Sequence, residues 1–216
     1  MPPSTPEVEV LAGFLDLSGA RAWYLRGRAA ELRGDLEEAE RSFKWVARLD
    51  RSTPGAMARV GGFYERSGRP DDALEAYERA LERAGPAPAP EIQLALGRLL
   101  RARADPMARS HLDSACPGPG CEEAFEAAHA DGDHDAAVAV LHRWRLADQA
   151  PAAATKRAEC AERLQEWGLA VEDWLTVLAT GYRLEVARRA LVAAAHAGDP
   201  RVVHWLEARG LPVERP

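Results

Sequence analysis

Three places in this 216-residue chain gather residue types capable of chemistry. The first is SACPGPGCEE, in which Cys116 and Cys121 flank a Pro-Gly-Pro-Gly turn. Such a turn can fold back and bring two thiols into bonding range, which needs Cα atoms about 4.4–6.8 Å apart. A bridge closing so short a loop stabilises by about 2 kcal/mol in the entropic account and implies an oxidising compartment. The alternative is two free thiols at helix ends. The second place adds His129 and His134 to the same cysteines, a zinc-like spacing. It fails on geometry. In a helix, Cys121 and His129 stand roughly 12 Å apart along the axis, whereas zinc holds its ligands at about 2.0–2.3 Å. The third is DGDHDA from Asp131, which opens like a calcium loop but lacks the Gly at its sixth place and the Glu at its twelfth. A polar turn with capping acids explains it. Cys160, between Ala158 and Ala161, reads as a small buried hydrophobe.

Catalytic arrangements are otherwise missing from the sequence. There is no G-x-S-x-G, no Walker loop and no G-x-G-x-x-G following a strand. His111, His142, His196 and His204 are scattered. The expectation is no enzyme, no catalytic residue, no cofactor and no metal; a metal near Cys116, Cys121 and His129 is the residual enzymatic reading. A net charge of −6 argues against a chain-wide cationic field for nucleic acid. No apolar run approaches the roughly 20 residues that cross a bilayer, so no transmembrane segment is expected. The start, MPPSTPEVEV, lacks a basic stretch followed by an apolar one and does not read as a signal peptide. Location stays open. The CPGPGC turn and the spacer-like start lean toward an exported, periplasmic protein, a trimmed lipoprotein among the options, and a cytoplasmic protein is the alternative.

The elements that must position these residues are helices. Ala, Leu, Glu and Arg dominate, while Val, Ile and Thr are sparse, a balance that favours helix over sheet. A sentence is also written twice. GDLEEAERSF from Gly34 and GRPDDALEAY from Gly68 share a Gly turn, following acids, an Ala and an aromatic. Gly27 and Gly61, Ala39 and Ala73, and Phe43 and Tyr77 keep the same offset, and a fixed period of this kind is the mark of a stacked array. Within each copy Ala39, Phe43 and Val46 lie on one helical face. All six Trp read as core, Trp45 least clearly.

Trp23, Gly27, Gly34, Ala39, Phe43 and Leu49-Asp50 resemble the signature of tetratricopeptide repeats, and Gly61, Tyr64, Gly68, Ala73, Tyr77, Ala80 and Leu81 repeat it. The resemblance implies an all-α, right-handed αα-superhelix, a tetratricopeptide-like solenoid of five to six helix hairpins. Residues 1–19 are read as an N-terminal spacer and capping helix. The repeat domain spans 20–216, with units near 20–53, 54–87, 90–117, 119–150, 152–181 and 184–210. Looser units are marked by Leu94, Gly97 and Leu100, by Ala137, Leu141 and Trp144, and by Ala170, Trp174 and Val177. The unit containing Trp167 lacks the usual turn Gly.

Members of that family usually hold peptides or proteins on a concave face lined by the first helix of each unit. Carried over residue by residue, the groove positions are Arg21, Tyr24, Leu25, Arg28 and Glu31, then Arg59, Gly62, Glu65 and Arg66, then Leu94, Arg98 and Arg101. Glu122, Glu123, Glu126 and His129 follow, so the groove turns acidic. Tyr24, Arg28, Arg59, Arg66, Arg98 and Arg101 are the expected partner-binding set, suited to an acidic segment or a C-terminal carboxylate gripped by two parallel hydrogen bonds. The alternative is that these arginines pair with Glu one turn away and bind nothing. The function expected is a non-catalytic scaffold or adaptor that assembles a protein complex. The runner-up is a permanent structural subunit of a larger assembly, envelope- or secretion-related among the options, with no exchangeable ligand.

Overall fold

The computed structural model describes residues 19–49 and 54–213. The expected leading helix over 6–17 and Asp50 of the repeat signature lie outside them. Among the described residues the chain is all helix. α1 (Ala20–Leu32), α2 (Leu36–Leu49), α3 (Pro54–Arg66), α4 (Pro70–Ala84) and α5 (Pro90–Ala102) come first. α6 (Ala108–Ser114), α7 (Cys121–Ala130), α8 (His134–Ala147), α9 (Pro151–Arg163), α10 (Trp167–Thr180), α11 (Leu184–Ala197) and α12 (Arg201–Glu207) follow. The chain divides into two compact units, one ending at Ala108 and the other beginning at Arg109.

One turn recurs throughout. Two residues beyond each of α1, α3, α5, α7 and α9, and one beyond α11, the backbone enters the left-handed region, at Gly34, Gly68, Ala104, Gly132, Gln165 and Gly198. The next amide then reaches back to a carbonyl in the last helical turn. Asp35 donates to Ala30 at 3.0 Å, Arg69 to Tyr64 at 2.9 Å and Glu166 to Ala161 at 2.9 Å, with Asp105, Asp133 and Asp199 doing the same. This is the Schellman closure, which satisfies orphan carbonyls at a helix end. The side chains after the turn then start the second helix. Asp35 accepts from the amide of Glu38 and Asp133 from that of Ala136, each satisfying an orphan amide.

In the first unit α1 pairs with α2 and α3 with α4 across this turn. Ala39 and Ala73 are completely buried, as expected of close contacts. Phe43 packs against Tyr24 and Phe63, with ring centres 5.9 and 5.1 Å apart, and so ties the two hairpins together. Such aromatic pairs add about 0.5–1.5 kcal/mol beyond their burial. Ile92, Leu96 and Leu99 of α5 extend the same core.

In the second unit α7 pairs with α8 and α9 with α10. Ala137, Leu141 and Trp144 are buried, as are Ala170, Trp174 and Val177. One ion pair is fully enclosed. Arg157 donates to Asp173 Oδ1 through Nε at 3.1 Å and Nη2 at 2.9 Å, and both side chains are about 99–98% buried. Arg145 reaches the other oxygen of Asp173 at 2.8 Å. The expectation that every Trp is core needs correction. Trp144 and Trp174 are buried, but Trp45 is 38% exposed. It stacks on Trp23 at 5.6 Å, with Arg48 over its own ring and Arg26 over that of Trp23. These two indoles bury area on each other and on guanidinium groups instead of in the core.

Candidate functional site

The first helices of the first unit share a polar face. Tyr24, Arg28 and Glu31 follow one another at helical spacing on α1, and Arg59, Gly62 and Arg66 do so on α3. The guanidinium of Arg59 lies 4.9 Å from the ring centre of Tyr24. Arg66 grips Glu31 with two bonds, from Nε at 2.6 Å and Nη2 at 3.2 Å. Arg28 donates to the same carboxylate. Burial works against a charge on Glu31, but the hydrogen bond and field of Arg66, then those of Arg28, outweigh it and hold the carboxyl below its ordinary range. Gly62 leaves room for this grip, since a Cβ there would stand 3.2 Å from Arg66 Nη1.

Tyr24, Arg28, Arg59 and Arg66 are therefore brought together. Arg98 and Arg101 stand exposed on the next first helix, α5. Leu94, expected on the same face, is buried. The apolar stripe of α5 is wide enough to take in Leu94, Leu96, Leu99 and Leu100, leaving the arginines outside.

The acidic stretch in the second unit meets cations from the following first helix. Glu122 pairs with Lys156, and Glu126 takes two bonds from Arg163 at 2.5 and 3.1 Å. Arg189 of α11 in turn reaches Glu159 and Glu162 of α9. Exposed pairs of this kind contribute only about 0.2–1 kcal/mol each, yet they cancel much of the field the acids would project. His129 stacks on Phe125 at 5.8 Å.

The side of α3 turned away from Arg59 and Arg66 carries Met57, Val60 and Tyr64. They floor a cavity of about 750 Å³ walled by α2 and α4. Glu40, Lys44 and Arg48 step along one wall, and Asp72, Glu75, Arg79 and Arg83 along the other. Glu40 accepts from the Tyr64 hydroxyl at 3.0 Å and pairs with Lys44 at 2.7 Å and Arg69 at 2.8 Å. Burial opposes its charge, but hydrogen bonds from Lys44, Arg69 and Tyr64 bring its pKa down to about 2. Sequence reasoning missed this cavity. Its signal was the four-residue step from Lys44 to Arg48 and from Arg79 to Arg83 in two successive second helices.

Cys116 and Cys121 are buried at the two ends of the turn between α6 and α7. Their Cα atoms lie 4.6 Å apart, with the sulfurs at disulfide-bonding distance. Arg143 Nη1 lies 3.3 and 3.4 Å from the carbonyls of Asp113 and Cys116, bracing the turn from α8. Cys160 is buried, and desolvation, followed by the negative charge of Glu126, pushes its thiol up to about 12. A thiol so protonated is a weak nucleophile.

The family model described as tetratricopeptide repeat matches residues 9–56 and 64–117. The chain carries tetratricopeptide repeats. Solved structures agree at the level of fold. Pseudomonas aeruginosa pilF is 17% identical over 86% of this chain and 87% of its own, with a TM-score of 0.54. The C-terminal part of a repeat-containing protein from Cytophaga hutchinsonii is 13% identical over 92% and 93%, with a TM-score of 0.56. Yeast Tom70 is 15% identical over 96% of this chain but 47% of its own, with a TM-score of 0.61. No curated protein sequence matches the chain. Tetratricopeptide arrays serve in general as protein-interaction scaffolds, and the helix pairing described above places this chain in that architecture.

Proposed function

We propose that the chain is a non-catalytic scaffold that holds a partner protein or peptide on the face formed by α1, α3 and α5, and that the segment held there is acidic or ends in a carboxylate. The observation that carries the reading is the stacking of Arg59 on Tyr24. The ring holds the guanidinium at the exposed face, and a pre-placed Arg fork loses little entropy on meeting a carboxylate. The bidentate grip of Arg66 on Glu31, a few residues away, illustrates the geometry such a contact takes. Arg28 and Arg66 hold Glu31, and recognition of the partner centres on the exposed Arg59, with Arg98 and Arg101 exposed on α5.

A photo-cross-linking residue in place of Leu25, which is 45% exposed on α1, would capture the partner, and its affinity for wild type and R59A/R98A would then be measured. The double variant is expected to bind about tenfold or more weakly. Equal affinity sinks the proposal.

The permanent-subunit reading also has a specific observation behind it. Leu32 and Leu36 stand 82% and 49% exposed on either side of one turn. A subunit that buries them in a lasting interface would self-associate when purified alone, whereas a transient binder would run as a monomer.

A further inference from the structure

The cavity between α2 and α4 lies on the side of α3 opposite the face assigned above, and its charges are ordered. Each wall begins acidic and ends basic: Glu40, Lys44, Arg48 on α2, and Asp72, Glu75, Arg79, Arg83 on α4. At the acidic end the charges close on one another. Arg69 bridges Glu40 and Asp72 at 2.8 and 2.7 Å, and its guanidinium lies 4.5 Å from the ring centre of Tyr64. Further along, Arg79 pairs with Glu75.

At the basic end two successive repeats converge. Arg83 Nη1 reaches across to the carbonyl of Ala47 at 3.4 Å, beside Arg48, the next residue of α2. Five cations and three carboxylates line the cavity. A basic residue in a last helical turn serves its own helix dipole, which accounts for Arg48 and Arg83 one at a time. It does not account for a cationic surplus from two repeats set over the apolar floor of Met57, Val60 and Ala76.

We propose that this cleft is a second docking site, and that its occupant is an acidic peptide segment of a partner protein. Carboxylates of that segment meet Arg48 and Arg83, while an aliphatic side chain between them rests on Met57, Val60 and Ala76. A cavity of this size is within the range of built ligand sites. Two partners could then be held at once, one on each side of α3.

The test is fluorescence anisotropy with a labelled synthetic peptide about three helical turns long, carrying Glu and Leu at helical spacing, alongside the same peptide with Gln for Glu. Wild type should bind the Glu peptide saturably and ignore the Gln peptide. R48E/R83E should lower the affinity about tenfold or more. R33E/R183E, which changes net charge equally at positions outside the cleft, should leave it unaltered. Because Arg83 touches the α2 backbone, R48Q/R79Q serves as a gentler second variant, and thermal melts establish that each variant is folded. No binding by wild type, or undiminished binding by folded R48E/R83E and R48Q/R79Q, overturns the proposal. Loss in R59A/R98A with R48E/R83E intact would move the peptide to the α1–α3 face, overturning the cleft and leaving the proposed function standing.

Discussion

A β-carbon placed on Gly61 would lie 2.9 Å from the ring of Tyr77, a separation that real side chains do not tolerate. One repeat earlier, Gly27 stands in the same relation to Phe43 at 3.1 Å. Small meets large where the two helices of a hairpin come closest. Tyr77 cannot easily swing away, since its hydroxyl donates to Glu65 at 3.1 Å. Alanine gains about 1 kcal/mol of helix propensity over glycine, against an overpacking cost of about 1–3 kcal/mol. G61A should therefore unfold at lower urea than wild type, and G27A should lose less. A G61A protein as stable as wild type would show that this contact does not set the hairpin spacing.

Gln165 occupies the left-handed turn position at φ 61° that glycine fills after α1, α3, α7 and α11. A side chain there costs roughly 1–2 kcal/mol, and its amide closure to Glu162 and that of Glu166 to Ala161 do not depend on it. Q165G should raise stability by about 1 kcal/mol in chemical denaturation. A loss would mean that the Gln side chain makes a compensating contact.

That turn also marks where the sequence stops being readable. Gly34 and Gly68 announce the left-handed residue, because only glycine takes that conformation freely. Ala104 and Gln165 take it without announcing it, held by the closure bond and by the packing of both helices. Similarly, Gly27 with Phe43 and Ala39 with Ala73 are legible because small and large residues alternate at fixed offsets. The pairing of Glu31 with Arg66 is not. It depends on the register between stacked hairpins, whereas periodicity reveals only which face of its own helix a residue occupies. The cleft escaped notice for the same reason, since Lys44 and Arg48 look like a solvated face until α4 is set beside them.

The enclosed pair in the second unit allows a sharper test of electrostatics against packing. D173A would leave Arg157 buried with its charge uncompensated and deprive Arg145 of a partner as well. The expected cost is about 3–5 kcal/mol, while R157M/D173L, which removes both charges, should recover most of it. A mild D173A phenotype would show that water reaches Arg157.

Acid should weaken the first unit through Glu40. Its folded pKa, about 2, lies below its ordinary value of 4.5. A depressed folded value means the stabilisation is complete above the unfolded pKa and fades as pH falls from about 4.5 toward 2. Comparing wild type with E40Q between pH 7 and pH 2 reads this directly. The stability gap should narrow as the pH drops; a gap that stays constant would assign Glu40 a role independent of its charge.

For Cys116 and Cys121, native alkylation followed by mass measurement should find one reactive thiol at most without reductant and three after reduction and unfolding. C116S/C121S should be about 2 kcal/mol less stable than the oxidised protein. Two thiols labelled in freshly prepared folded protein would mean the cysteines are unbridged.

The six-fold recurrence of one closed turn has a consequence for how such a chain can vary. The joint inside each hairpin is pinned by the same backbone bond at 34, 68, 104, 132, 165 and 198, so an inserted residue there would break the closure and re-aim a helix. Length changes have somewhere else to go: the connections after the second helices, where this chain already tolerates a proline-rich stretch at 86–90 and a cysteine-bounded one at 116–121. Of these the proline-rich stretch, exposed at 86–88 and with no bridge to disturb, is the place to splice a tag, a linker or a foreign loop.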